Sequence, residues 1–134
     1  MKAVVDTNVV AYFLLGTEGF VGEARRGLDT VATLLAPGHW EAELTNVLWM
    51  ATRSGVLAPH EAPIRLGLAR RLGIESVATA TLCQGALLRA VESGVSVYDT
   101  LFVELAARLS CPLLTFDNAV LRAFPDVALR PRDL

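Results

Sequence analysis

The sequence predicts a three-layer α/β fold: a central parallel β-sheet of about five short strands, flanked by helices. Three observations carry this. Short apolar runs without polar alternation recur along the chain, as expected of strands covered on both faces. Longer stretches between them repeat apolar residues at helical spacing. Glycine, proline and cap residues stand where the periodicity changes.

Val4 and Val5 read as a short buried strand ending at Asp6. Asn8 suits the N-cap of a helix running through Leu15, which Gly16 stops. A second helix covers Val21 to Leu28. The run Thr30 to Ala36 reads as the second strand, ended by Pro37-Gly38. A long helix follows from Trp40 to Arg53, with Leu44, Val47, Leu48 and Ala51 on one face. Pro59 suits the first turn of a helix reaching Leu72. Ile74 to Ala78 is the third strand, and Thr81 to Ser93 a helix ending at Gly94. Asp99 starts the helix DTLFVELAARL. Pro112 to Thr115 is the fourth strand, Asn118 to Phe124 a short helix, and Val127 to Leu129 the last strand.

A chain of 134 residues is long enough for one substantial core, so residues 1–134 are expected to form a single domain. Hydrophobic residues make up 53% and the mean hydropathy is +0.45. No apolar stretch reaches the ~20 residues of a membrane span. The start MKAVVDTNVV reads as a strand rather than a signal peptide, which predicts a cytoplasmic protein. Cys83 and Cys111 are too few for a zinc set or a disulfide framework, and read as core-filling thiols. The net charge of −2 excludes a global electrostatic attraction for nucleic acid. Lys2 is the one lysine; Arg25, Arg26, Arg53, Arg70 and Arg71 are candidate phosphate contacts or ordinary solvated residues.

Four carboxylates interrupt or border apolar segments. Asp6 lies in AVVDTNVVAYFLL, Glu43 in ELTNVLWM, Asp99 in VSVYDTLFVELA, and Asp117 after CPLLTF. A buried carboxylate costs several kcal/mol unless it is paired, hydrogen-bonded or bound to a cation. In the expected topology Asp6 and Asp117 end strands, Glu43 sits in a first helical turn, and Asp99 begins a helix. All four can meet at the carboxyl edge of the sheet, where such folds bind ligands. Like charges there raise one another's pKa, and a divalent cation offsets the repulsion. An all-oxygen donor set favours Mg²⁺ or Mn²⁺ over Zn²⁺. Taken singly, Asp99 also reads as a helix cap and Asp6 and Asp117 as acids satisfying loop amides, and Glu41 competes with Glu43.

These segments resemble the signature of the PIN domain, and in particular of VapC-type toxin ribonucleases. The resembling parts are VVDTNVV, EAELTNVLW and VSVYDTLFVELAARLSCPLLTFDNAVL, together spanning Val4 to about Leu129. The resemblance implies a Mg²⁺-dependent endoribonuclease with Asp6, Glu43, Asp99 and Asp117 as its metal-binding acids. It selects Glu43 over Glu41 and adds Thr115 as a hydroxyl that helps hold the site or its water. It also implies a homodimer inhibited by a VapB-type antitoxin whose tail enters a groove near the acids. Tyr12, Phe13, Trp40 and Trp49 either line that groove or fill the core. Thr7 and Asn8 shape the turn after Asp6, with Asn8 as cap. Asn46 either orients Glu43 or bonds within its helix bundle. His39 and His60 match no catalytic position and read as loop or cap residues.

Three alternatives remain at this point. A haloacid-dehalogenase-like phosphatase also opens on an apolar strand and Asp, but wants a second Asp where this chain has Asn8. A non-catalytic PIN binding module is expected to have lost an acid, and all four are present. A housekeeping RNA- or DNA-processing PIN nuclease shares the same acids.

Overall fold

In the computed structural model, which describes residues 1–134, the first apolar run becomes β1 (Lys2–Val5), the middle strand of the sheet. The chain continues through α1 (Thr7–Leu15), α2 (Val21–Thr30), β2 (Thr33–Pro37), α3 (Trp40–Arg53), α4 (Glu61–Arg70) and β3 (Glu75–Val77). It then forms α5 (Cys83–Ser93), α6 (Val97–Leu109), β4 (Leu113–Leu114), α7 (Asn118–Ala123) and β5 (Ala128–Leu129). The five strands are all parallel, in the order β3-β2-β1-β4-β5. Val4 is in register with Leu35 of β2 and Leu113 of β4. The chain steps outward on one side of β1, then crosses to start again at β4. The carboxyl ends of β1 and β4 therefore flank the switch point in strand order, where the loops diverge and leave a crevice.

Helices cover both faces. α6 lies on β1, β2 and β4 with α5 against it, while α1 packs among α2, α3 and α4. Between these layers the buried apolar side chains form one cluster that includes Val4, Val5, Leu35, Leu44, Phe102 and Leu114. Covered on both faces, the strands have no reason to alternate polar and apolar residues. Burying a side chain such as Phe102 contributes roughly 2–3 kcal/mol.

The differences from the sequence expectation are local and have causes. α1 begins at Thr7 with Asp6 at the N-cap, so Asn8 lies inside the first turn and is not the cap. The Asp6 side chain makes no cap bond because its carboxylate is engaged elsewhere. α6 begins two residues before Asp99, because Ser96 caps it by accepting from the Asp99 amide. Pro59 lies outside α4; Pro63 falls in its first turn, where a missing N–H costs no intrahelical bond. Gly16 does end α1, in the left-handed conformation (φ 63°), with its N–H on the Phe13 carbonyl. Cys83 is exposed and Cys111 partly buried, so neither thiol belongs to the inner core.

One carboxylate on α6 anchors the helix layer. Glu104 accepts from Arg89 Nε at 2.8 Å and Arg108 Nε at 2.9 Å, tying α5 to α6. A Cβ at position 85 would strike the Glu104 carboxylate, which is why α5 carries Gly85 there. The two guanidinium groups hold the Glu104 carboxyl below its ordinary range against the opposing effect of burial.

Candidate active site

At the carboxyl edge, the end of β1 delivers Asp6 into the interior, where it is only 6% exposed. Its amide bonds to the Leu114 carbonyl at 2.9 Å, fixing the backbone of β1 against β4. Thr115, fully buried just past β4, donates its hydroxyl to Asp6 Oδ2 at 2.8 Å. The same hydroxyl accepts the Asp117 amide at 3.0 Å. Asn8 completes this knot: its Nδ2 is 3.4 Å from both Asp6 Oδ2 and Thr115 Oγ1, and its Oδ1 accepts the Phe116 amide at 3.2 Å. The side chain expected to cap α1 instead joins the first and fourth strand ends.

Glu43, in the first turn of α3, accepts from Thr7 Oγ1 at 2.8 Å. Asp99 Oδ2 accepts from Ser96 Oγ at 3.2 Å. Asp117 caps α7, its Oδ1 accepting from the Ala119 and Val120 amides at 2.8 and 3.3 Å. Asp6, Glu43 and Asp99 line one cavity of about 330 Å³, together with Tyr12 and Val47. Asp117 lies outside this lining, close enough for its charge to act on Asp99.

Each of the four carboxylates uses one oxygen in hydrogen bonds to the protein and leaves the other without a protein partner. No arginine or lysine pairs with any of them. Burial, reinforced by the charges of Asp99 and Glu43, pushes Asp6 up to about 7 despite the Thr115 hydrogen bond. Burial raises Glu43 as well, against the Thr7 bond and with Asp99 adding to the rise. Asp99 is raised by burial and by Asp117.

No three His, Cys, Asp or Glu side chains stand as a closed chelate. The arrangement nonetheless fits a hard, hydrated cation. Mg²⁺ takes few protein carboxylates and keeps several waters, so it suits an open cavity with unpartnered carboxylate oxygens. The raised acids supply the charge that such a cation would neutralise.

Some residues stand in the site without having been singled out as part of it. Thr7 holds Glu43, and Ser96 holds Asp99 through a Ser-x-x-Asp spacing that was legible as a capping box. His39, expected as a loop or cap residue, precedes α3 and puts Nε2 3.0 Å from the Tyr98 carbonyl and 3.6 Å from Glu43 Oε1. Its Nδ1 is the one buried side-chain polar atom without a partner. Asn46 is exposed and reaches only the Met50 sulfur, so it does not orient Glu43. Trp40 is core, donating to Ser76 Oγ at 2.9 Å, whereas Trp49 is exposed beneath Arg53. Tyr12 lines the cavity, its ring stacked on Phe20 and set edge-on to Phe116.

A parallel sheet whose switch point gathers carboxylates held by hydroxyl and amide donors, with no arginine or lysine among them, defines an acidic-edge α/β fold. Residues 3–127 match the PIN domain, and the chain belongs to that family. It is 30% identical over 129 residues to Ribonuclease VapC3 of Pyrobaculum aerophilum, covering 93% of this chain and 96% of that one. It is 29% identical over 124 residues to Ribonuclease VapC3 of Mycobacterium tuberculosis, covering 92% and 88%. Among solved structures, a Pyrobaculum aerophilum protein matches with TM-score 0.75 at 19% identity, over 96% of this chain and 83% of the other. VapBC2 from Rickettsia felis, bound to a DNA fragment from its promoter, matches with TM-score 0.68 at 13% identity, over 97% and 98%. A toxin–antitoxin complex from Klebsiella pneumoniae matches with TM-score 0.68 at 15% identity, over 96% and 97%. At these identities the structural likenesses establish the fold.

Proposed function

We propose that this protein is a single-domain, cytoplasmic Mg²⁺-dependent endoribonuclease, the toxin of a VapBC pair, hydrolysing RNA phosphodiester bonds by in-line attack of water. The observation that carries this is the convergence of Asp6, Glu43 and Asp99 on one open cavity, with no arginine or lysine paired to any of them and only the His39 imidazole near Glu43. The relatives named as ribonucleases support the substrate class.

In this reading Asp6, Glu43, Asp99 and Asp117 would hold the cation, and Mn²⁺ could substitute. When bound, Mg²⁺ polarises the scissile phosphate and lowers the pKa of water. The protein's part is positioning. Thr115 fixes Asp6 Oδ2 and leaves Oδ1 free; Thr7 does the same for Glu43, and Ser96 for Asp99. No covalent nucleophile is needed, so no serine or cysteine has a chemical role.

Two uncovered apolar surfaces support partner chains. Trp49, Met50, Ile64 and Leu68 are exposed on α3 and α4, and Leu87, Leu88 and Val91 on α5. The reading assigns them to an antitoxin and to a second copy in a homodimer, in line with the toxin–antitoxin complexes among the structural relatives. No helix is long and apolar enough to cross a membrane.

Asp6→Asn tests the site. Mg²⁺-dependent cleavage of RNA is expected to fall by about a thousandfold, with an unchanged circular dichroism spectrum. Undiminished cleavage in metal-stripped and then Mg²⁺-restored variant protein would sink the assignment.

A further inference from the structure

Asp99 faces two cavities. One is the acid-lined space shared with Asp6 and Glu43; the other, of about 480 Å³, lies between the α5–α6 connection and α7. The second cavity is walled by Ser93, Ser96, Ala119, Ala123 and Arg122. Its two serine hydroxyls are already spent: Ser93 Oγ donates to the Arg89 carbonyl and accepts from Val95, and Ser96 Oγ bonds Asp99. Arg89, beyond Ser93, is engaged by Glu104. Arg122 alone offers unspent charge, since it is exposed and pairs with no carboxylate.

We infer that this second cavity is a phosphate cradle in which Arg122 holds an RNA phosphodiester next to the one being cut. The inference rests on the nuclease reading of the acid site. Arg122 and Asp117 belong to the same short element, Asp117 capping α7 and Arg122 in its last turn. Asp99 lines both cavities, so a phosphate held by Arg122 lies beside the acid site. Small side chains at Ala119 and Ala123 let a polynucleotide backbone lie close. The guanidinium fork matches phosphate oxygens, and no aromatic ring or free amide is present there to read a base. RNA thus crosses the Asp99 ridge, with its reacting phosphate over the acids and a neighbouring one against Arg122.

The test compares wild type with Arg122→Ala, Arg122→Lys and Lys2→Ala; Lys2 lies at the opposite, amino edge of β1. Fluorescence anisotropy of a labelled single-stranded RNA gives Kd, and its cleavage in Mg²⁺ gives kcat and KM. Arg122→Ala is expected to raise Kd and KM about fivefold for any sequence, leave kcat within about twofold, and flatten log Kd against log salt by about 0.7. Arg122→Lys, which keeps the charge but not the fork, restores the salt slope and only part of the affinity, and Lys2→Ala changes nothing. An unchanged Kd and salt slope in Arg122→Ala, with wild type cleaving normally, overturns the cradle and leaves the acid site standing. Weakened binding by Arg122→Ala in a protein that never cleaves RNA overturns the nuclease reading and leaves the cradle.

Discussion

Helix α6 carries two carboxylates with opposite fates. Glu104, in its middle, is gripped by Arg89 and Arg108, and its carboxyl is held below the ordinary range. Asp99, in its first turn, receives one hydroxyl, faces Asp117, and is raised. Glu104 is buried and Asp99 half-buried on the same helix. What separates them is that the chain supplies cations to one and withholds them from the other. Glu23 follows the first pattern, with Arg130 bonded to both of its oxygens. Asp6 and Glu43 follow the second. An acid that the protein pairs with its own arginines ties elements of the fold together; one that it leaves without them is, in the proposed function, available to a cation from outside.

The largest expected contrast is between the two sites under truncation. Asp6→Asn removes activity by about a thousandfold and leaves the fold standing. Glu104→Ala should do the reverse. It removes the carboxylate that joins Arg89 to Arg108, both of which reach solvent, and is expected to cost about 1–2 kcal/mol in urea denaturation, while kcat per folded molecule is kept. A Glu104→Ala protein of normal stability that no longer cleaves RNA would break the division.

A second contrast is in pH. Burial pushes Asp6 from the ordinary carboxylate value of 3.8 up to about 7 in the folded state. Between those values the folded state binds more protons, so the metal-free protein loses stability as pH rises, and the loss is complete above 7. Glu43 and Asp99, also raised, add in the same direction. Glu104 and Glu23, both lowered, act oppositely: their stabilisation is present at neutral pH and lost as acid protonates them. Metal-free protein is expected to lose roughly 2 kcal/mol from pH 5 to pH 7 through Asp6. Asp6→Asn should flatten that slope, and Mg²⁺ should raise the wild-type Tm more at pH 8 than at pH 5. Equal Mg²⁺ stabilisation of wild type and Asp6→Asn at pH 8 would separate Asp6 from the cation.

The alternation of strands and helices, and the placing of Asp6, Glu43, Asp99 and Asp117 near one edge, were legible because strand ends and helix starts are local features. What decides the fate of each acid is not local. Glu104 in VELAARL looked like any helical acid, and Arg89, fifteen residues earlier, gave no sign of reaching it. His39 meets the Tyr98 carbonyl across 59 residues, where the residue before α3 reaches the first turn of α6. Asn8 suits a helix cap by local preference; here the buried Asp6–Thr115 knot needs an amide with both a donor and an acceptor. Tertiary demand overrode a correct local preference.

The smallest expected effect tests whether the hydroxyls in the acid site are positioning devices or filler. Thr7 is buried, and its Oγ1 is the one hydroxyl on Glu43. Thr7→Val keeps the branched shape and removes the donor. Stability should change little, because the loss of a hydrogen bond is partly offset by the better burial of a methyl group. Glu43 would then turn freely, protonate more readily, and present its oxygens less often in the right place. The expected result is a fall of about tenfold in kcat with a higher Mg²⁺ concentration for half-maximal rate, about 1.4 kcal/mol in the transition state. Unaltered kcat and Mg²⁺ dependence would show that Glu43 needs no orientation and stands outside the cation-binding set. That outcome would shrink the site to Asp6, Asp99 and Asp117, and move Glu43 to the side of the comparison occupied by Glu104, an acid whose hydrogen bonds serve the fold.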